Sequence, residues 1–478
     1  MSETKEECES VTSTKGRIKL YKNGFTYENC AKISDKYYWY CELRREKVNR
    51  CTASMSTTLK DGSHIVQKSS DDHNHGPNPS RKPVRDFIEN MKKAAESEMK
   101  VCKIIQTSKA SVPSSVVKCL PSTSALKQTI YRHRRKKDVV KEPNDIFFKI
   151  NESLTSFDGE NFVIKDCIFE ENKRVILMST LNLMTILSKS TYWILDGTFK
   201  VAPSLFTQLY TIHGNIFSDN TKTFPLCFCL STNKDKRTYD VMFELIAQYG
   251  QEHNLIMAPK VCILDFEKAS ILSLRSNFEN ITLHGCLFHL GQIIYRQVQA
   301  QACAKKYASS MTFNKQVKCL LALSYLPEEE IPTYFNTLLR SLWFQENYIS
   351  GTRNTQPKYA PSYWSCHNIN QMKIPRTSNS AEAWHHKINI IIDKNHPGVY
   401  SLINTLMKES LANTGDIEAI LSGAPSQRKK KNYSNKDERI DTILQHKEEY
   451  SEFKLLMLIT SVLVVTTDVY TRGIRVPW

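Results

Sequence analysis

Two short apolar runs each end on an aspartate: Tyr192-Trp193-Ile194-Leu195-Asp196 and Val261-Cys262-Ile263-Leu264-Asp265. Four apolar residues in a row have no solvent face. They predict strands buried on both sides, as in a sheet covered by helices above and below. The surrounding pattern agrees. Further strands are predicted at 205–212, 224–230 and 281–283, an amphipathic helix at 239–249, a helix from about 287, and helix throughout 300–350. Strands interleaved with helices indicate an α/β layer domain. A carboxylate directly after such a strand sits at the rim of the sheet, rigidly held yet able to reach a ligand. A single Asp there is commonly a turn former or cap. Two on neighbouring strands favour a shared site, because like charges placed close together need a cation.

A third acid, Glu382, follows Ser378-Asn379-Ser380-Ala381. Ser380 is suited to cap a helix, which puts Glu382 in its first turn. An acid is favourable at a helix N-terminus for its own sake, so spacing alone gives Glu382 no role. Three carboxylates together suit two divalent ions, which activate water and stabilise the leaving oxygen of a phosphodiester displacement. Mg²⁺ and Mn²⁺ prefer such oxygen ligands.

The N-terminal part carries different chemistry. Cys41-x9-Cys51-x21-His73-x-His75 offers two thiolates and two imidazoles, a donor set that suits tetrahedral zinc. The spacing alone leaves open two core cysteines beside a surface His-Asn-His loop. Tyr21, Phe25, Tyr27 and Tyr37–Tyr40 suggest short strands, with turns at Lys22-Asn23-Gly24 and Asp61-Gly62. Arg44, Arg45, Lys47 and Arg50 suit phosphate contacts or a solvated hairpin tip.

Charge points to a polyanionic partner. The chain has 65 Lys and Arg against 49 Asp and Glu, a net +16. Residues 76–145 hold 16 Lys and Arg against 7 Asp and Glu, more than half of that excess. Two helices are predicted there, at about 84–108 and 123–137, separated by the Ser/Pro-rich Ser111–Ser124. The second carries Arg132, Arg134, Arg135, Lys136 and Lys137, which suit DNA binding in a groove and also form a nuclear-address run. The longest apolar stretch, Leu455–Val465, is too short to cross a membrane, and the polar, acidic start is not a secretory signal. The fourteen cysteines are therefore expected as thiols or metal ligands in a reducing compartment. The expected organisation is a disordered tail (1–15), a zinc module (16–80), a basic helical connector (81–145), an α/β domain (146–420) and a charged, then apolar, C-terminal tail (421–478).

Two families are resembled in sequence order. Gly24-Phe25-Thr26-Tyr27, Tyr38-Trp39-Tyr40-Cys41, Cys51-Thr52-Ala53 and Asp72-His73-Asn74-His75 resemble the FLYWCH-type zinc finger. The resemblance assigns zinc to Cys41, Cys51, His73 and His75, leaves Cys8 and Cys30 as plain thiols, and implies DNA or protein binding. Asp196-Gly197-Thr198-Phe199, the block Pro203–His213, Thr238-Tyr239, Asp265-Phe266-Glu267, Gly285–Leu290 with Gln292, and Arg376–His385 resemble the Mutator-like element (MULE) transposase domain. That resemblance implies an RNase H-like core with a helical insertion. It also implies a catalytic Asp196, Asp265, Glu382 triad holding magnesium or manganese, which cuts element ends and joins them to target DNA. Partners would be terminal inverted repeats, target DNA and further copies of the chain, in the nucleus. Cys286-x2-His289 is the family's Cys-x2-His motif. Two ligands are too few for zinc, which favours a packed Cys and a His touching DNA or the triad. His284, Cys366 and His367 are the candidates to complete a metal site. The alternative to a transposase is a catalytically silent, DNA-binding regulator descended from one.

Overall fold

The computed structural model describes residues 7–12, 18–45, 50–97, 99–137, 141–157, 159–216, 219–338, 341–392, 394–423 and 431–464. They form two compact units, Met1–Lys141 and Glu142–Trp478.

The first unit opens with six antiparallel strands closed into a barrel: β1 (Glu7–Thr12), β2 (Ile18–Lys22), β3 (Phe25–Ile33), β4 (Lys36–Cys41), β5 (Ser54–Lys60) and β6 (Ser63–Ser70). Alternation places Leu20, Tyr27, Trp39 and Met55 inside, together with Cys8. Trp39 Nε1 donates to Thr57 Oγ1 at 2.9 Å, so the buried indole leaves no polar group unpaired. The predicted turns fall where expected. Asn23-Gly24 and Asp61-Gly62 take left-handed φ of 52°, 84°, 49° and 83°, the signature of two-residue hairpin turns. Composition misleads at the start of the chain. Glu7–Thr12, inside the expected disordered tail, forms β1, which pairs with both β2 and β6 and closes the barrel.

The basic connector is a helical bundle of the same unit. Its helices are α1 (Arg81–Ala94), α2 (Val101–Ala110), the short α3 (Ser114–Val117) and α4 (Thr123–Lys137). Phe87, Met91, Val101, Ile104, Ile105, Leu126 and Ile130 form its core. The single helix predicted over 84–108 is broken between α1 and α2. No Gly or Pro marks the break; the chain folds back so that Phe87 and Met91 share one core with Ile104 and Ile105.

In the second unit a small hairpin, β7 (Ser156–Phe157) and β8 (Glu160–Asn161), precedes a seven-stranded sheet. Its strands are β9 (Val163–Phe169), β10 (Lys173–Met178), β11 (Tyr192–Thr198), β12 (Gln208–Ile216), β13 (Asp219–Ser231), β14 (Val261–Leu264) and β15 (Thr282–Gly285), in the order β15-β14-β11-β12-β13-β10-β9. β11, β14 and β15 are parallel and the remaining pairs antiparallel. Both faces are covered, and the pleat sorts side chains between them. Val175 and Leu177 join one core, while Ile176 and Met178 join the other with Trp384, Ile388, Leu402 and Leu406. The first face carries α5 (Leu181–Lys189), α6 (Lys236–Glu252), α7 (Lys268–Asn277) and α8 (Leu287–Ala300). The other carries helices Asn379–Ile392 and Val399–Leu421. Residues 300–350 are short helices with breaks and a π-helical turn at Gln345–Ile349, not one continuous helical stretch. The apolar end also packs: helix Glu452–Val464 buries Leu455, Leu456, Ile459 and Val462 in the first core. No helix among the described residues is long and apolar enough to cross a membrane.

Candidate functional site

A cluster of potential metal ligands lies in the first unit, and the three carboxylates singled out in the sequence lie in the second. In the first, Cys41 ends β4, Cys51 precedes β5, and His73 and His75 lie in the loop after β6. Their ligand atoms all fall within 4.8 Å of one another. Cys41 Sγ lies 3.2 Å from His75 Nε2, Cys51 Sγ 3.3 Å from His73 Nδ1, and the two imidazole atoms are 3.3 Å apart. Tetrahedral zinc, with bonds of about 2.3 Å to sulfur and about 2.0–2.1 Å to nitrogen, requires ligand separations of about 3.3–3.8 Å. The donor set and its spacing fit zinc. The outer ring nitrogens fix the tautomers. With Nδ1 turned to the cluster, His73 Nε2–H donates to the Tyr27 hydroxyl at 2.8 Å; His75 Nδ1–H donates to the Gly76 carbonyl at 3.1 Å. Phe25 stacks on His73 at 3.6 Å between centroids, and Asn74 Nδ2 donates to the Arg50 carbonyl, pinning the loop. Burial pushes the Cys41 thiol up to about 11. A bound cation reverses that and holds the thiolate.

The second set is acidic. Asp196 lies inside β11, not after it: β11 continues to Thr198 against β12. Its parallel pairing with β14 stops earlier, at Ile194↔Ile263. Asp196 and Asp265 are each two residues beyond that pair, so they stand level at the carboxyl ends of adjacent parallel strands, where open α/β sheets bind ligands. Glu382 comes from helix Asn379–Ile392, which buries Ala381, Trp384, His385 and Ile388 along one stripe. The helix begins at Asn379, so Ser380 lies inside its first turn. Ser378 takes the place expected of Ser380: its carbonyl accepts the Glu382 N–H at 2.9 Å.

The three carboxylates share one electrostatic environment. Burial, then the charge of Asp196, raises the Asp265 pKa against the pull of His289. Burial and Asp196 likewise raise Glu382 to about 7, again opposed by His289. Yet among the described residues only the Cys/His cluster brings three or more ligand atoms within 4.8 Å. The two aspartates each have their own partner. Asp196 Oδ2 lies 3.2 Å from His385 Nδ1, and Asp265 Oδ1 accepts the Glu267 N–H at 3.1 Å. Glu382 Oε1 is 3.8 Å from His289 Nε2, too far for a hydrogen bond, and is a buried oxygen with no hydrogen-bond partner. An unpartnered buried carboxylate oxygen beside two more acids fits a divalent ion with oxygen ligands.

Residues 10–75 match the FLYWCH zinc finger domain, and residues 192–292 match the MULE transposase domain. No curated protein matches the chain. The FLYWCH match begins within β1 and contains all four Cys/His ligands. The MULE match contains Asp196, Asp265, Cys286 and His289; Glu382 lies beyond it and joins the acids only through the fold.

Within the MULE domain, Cys286 precedes α8 and its Sγ lies 3.2 Å from both Ser378 Oγ and Ser378 N. It ties α8 to the turn that launches the Glu382 helix. His289, in the first turn of α8, faces Glu382. Burial works against its charge, but Cys286, Asp196 and Asp265 outweigh that and push its pKa up to about 9. His284, Cys366 and His367 form no ligand cluster with this pair among the described residues. Sequence reasoning gave no role to His385 or Glu267. His385 bridges Asp196 to Thr211 Oγ1 at 3.1 Å, and Glu267 accepts from the Tyr239 hydroxyl at 2.9 Å. Their signals were present: His385 is one helical turn beyond Glu382, and Glu267 is two residues beyond Asp265.

The basic residues divide. Arg132 is exposed. Arg134 is half-buried: its guanidinium donates to the carbonyls of Ala95, Ser97 and Met99 at 2.7–2.9 Å, satisfying the turn after α1. Arg135, Lys136 and Lys137 lie within α4, but their side chains are outside the described residues. Arg44 lies over the Tyr40 ring at 3.5 Å and Arg45 is 3.9 Å from Glu28; Lys47 is outside the described residues.

Proposed function

We propose that this chain is a DDE-type DNA transposase of the Mutator-like class, carrying out two-metal phosphodiester cleavage and strand transfer at Asp196, Asp265 and Glu382. The observation that carries the reading is the register Ile194↔Ile263, which levels the two aspartates at the carboxyl ends of adjacent strands inside the MULE match. The strand order β13-β12-β11-β14-β15, three antiparallel strands followed by two parallel ones, supports an RNase H-like core, with β10 and β9 extending the β13 edge. Divalent ions, when bound, activate water or the 3′-hydroxyl and stabilise the leaving oxygen. The chain's own residues orient the ligands: His385 holds the Asp196 carboxylate, and Cys286 with Ser378 sets the start of the Glu382 helix.

Zinc at Cys41, Cys51, His73 and His75 is structural in this reading. DNA is held chiefly by the first unit. Met1–Lys141 has 29 Lys and Arg against 16 Asp and Glu, a net +13 of the chain's +16. Nuclear localisation through Arg132–Lys137, and assembly of two or more copies to join two element ends, belong to the same proposal.

A silent regulator is the second reading. It is favoured by the acidic ligand atoms not converging to within 4.8 Å. The two are separated by nicking of a terminal-repeat oligonucleotide in Mg²⁺ or Mn²⁺. A transposase nicks it, and Asp196→Asn, Asp265→Asn and Glu382→Gln each abolish nicking while retaining DNA binding. No metal-dependent nicking by the unaltered chain supports the regulator.

A further inference from the structure

We infer that the helical bundle Arg81–Lys137 is a second DNA-reading element, distinct from the FLYWCH finger, that places the exposed face of α4 in the major groove of duplex DNA. This rests on the DNA-binding half of the proposed function and is independent of the cleavage chemistry. Neither family match reaches this segment.

Three observations support it. First, the bundle has its own core, so α4 is a rigid, capped helix: Leu126 and Ile130 are buried against α1 and α2, and Ser122 Oγ accepts the Ala125 N–H at 3.3 Å. Second, Met99–Lys137 carries ten Lys and Arg and no Asp or Glu. An ordinary solvated helical segment mixes both signs; an acid-free one suits a phosphate backbone. Third, helical spacing sets Ser124, Gln128 and Arg132 on the face of α4 opposite Leu126 and Ile130, and all three are exposed. These are the side-chain types that read base edges: Gln pairs with adenine, Arg with guanine, and Ser with either. At 15 residues α4 is about 22 Å long, enough to lie across a groove about 12 Å wide.

In helix-turn-helix readers the last helix meets the bases near its N-terminal end, and α4 is the last helix of this bundle, following the short α3 after residues 118–122. Lys103 on α2 and Lys118 after α3 are exposed and suit flanking phosphates. Arg134 has a different task, because its donors are already used on the α1–α2 turn.

The test uses the full zinc-loaded chain and anisotropy titrations of a random-sequence 30-base-pair duplex across a salt series. Lys103→Ala, Lys118→Ala and Arg132→Ala combined should weaken binding at least tenfold. They should lower the slope of log affinity against log salt by about 2, at about 0.9 for each of the phosphate contacts of Lys103 and Lys118. Gln128→Ala should leave that nonspecific affinity unchanged. In selection from a random duplex pool, it should relax one position of the site chosen by the unaltered chain by about 5–100-fold. Matching helicity and melting temperature establish that the variants are folded; Gln replacements, which keep helix propensity, serve where the Ala variant melts early. An unchanged slope together with an unchanged selected site overturns the inference and leaves DNA binding to the finger. Equal competition by single-stranded RNA overturns the duplex assignment. Failure of the unaltered chain to bind any duplex removes both this inference and the DNA-binding reading.

Discussion

The two candidate metal centres differ in how far the protein alone can assemble them. Cys41, Cys51, His73 and His75 stand at zinc-ligand spacing, with their outer nitrogens engaged by Tyr27 and Gly76. Asp196, Asp265 and Glu382 come from two strands and a helix that converge, yet their oxygens do not close to ligand spacing. The donor chemistry accounts for the contrast. Thiols and imidazoles can be neutral and hydrogen-bond to one another, so packing draws them together. Carboxylates repel one another and lose hydration on burial. A fold can gather them only by giving each a local partner, as His385 and the Glu267 N–H do here, or by protonating them. A preformed structural centre and an acidic centre poised for a cation therefore respond to perturbation with opposite signs.

The largest difference should appear on removing metal. Zinc binding contributes roughly 10–16 kcal/mol to finger-type modules at neutral pH. Chelation, or Cys51→Ser, should abolish cooperative unfolding of the barrel and its His73–His75 loop by circular dichroism while leaving the second unit's transition in place. A barrel that stays folded without zinc would break the comparison. The fragment has to include Glu7–Thr12, because β1 closes the barrel.

The next effect has the opposite sign. Glu382 is raised from an ordinary carboxyl value to about 7. Its ionised form therefore destabilises the metal-free fold; this cost is absent below about pH 4.5, grows through the window to 7 and is complete above it. Glu382→Gln should raise the stability of the metal-free chain by about 1–3 kcal/mol at pH 8, with the gain vanishing near pH 4.5. Parallel thermal melts of variant and parent, both in a His289→Gln background, isolate this from the coupled His289. A loss of stability at pH 8 would make Glu382 a structural acid.

Tyr27→Phe removes the acceptor that orients His73 and should weaken zinc affinity by about 10–100-fold, measured by chelator competition. Unchanged affinity would mean that Phe25 stacking alone sets the ring. The smallest effect is expected at Cys286. Cys286→Ala should cost about 1 kcal/mol of stability and lower nicking without changing duplex affinity, because it loosens only the turn before the Glu382 helix. Equal loss of nicking and binding would assign Cys286 to the DNA surface instead.

Legibility followed the distance over which each feature is decided. The hairpin turns at Asn23-Gly24 and Asp61-Gly62 and the strand Val261–Leu264 were readable because backbone preference and a short apolar run settle them locally. Strand β1 and the α1–α2 break were not. Glu7–Thr12 has a tail's composition and becomes a strand only because β2 and β6 supply partners. The break carries no Gly or Pro, and the bundle core with Arg134 creates it.

By itself the sequence determined the donor types: soft Cys/His ligands in one segment, carboxylates on strand and helix in another, and cations concentrated in the first unit. Those are properties of side chains and of spacing along the chain. Tertiary structure decided which of them meet. It aligned Asp196 with Asp265 through strand register and brought Glu382 from 117 residues beyond Asp265. It also engaged Arg134 on the carbonyls after α1 while leaving Arg132 exposed. Register, helix phase and burial are collective outcomes of packing, and a local run of residues does not encode them.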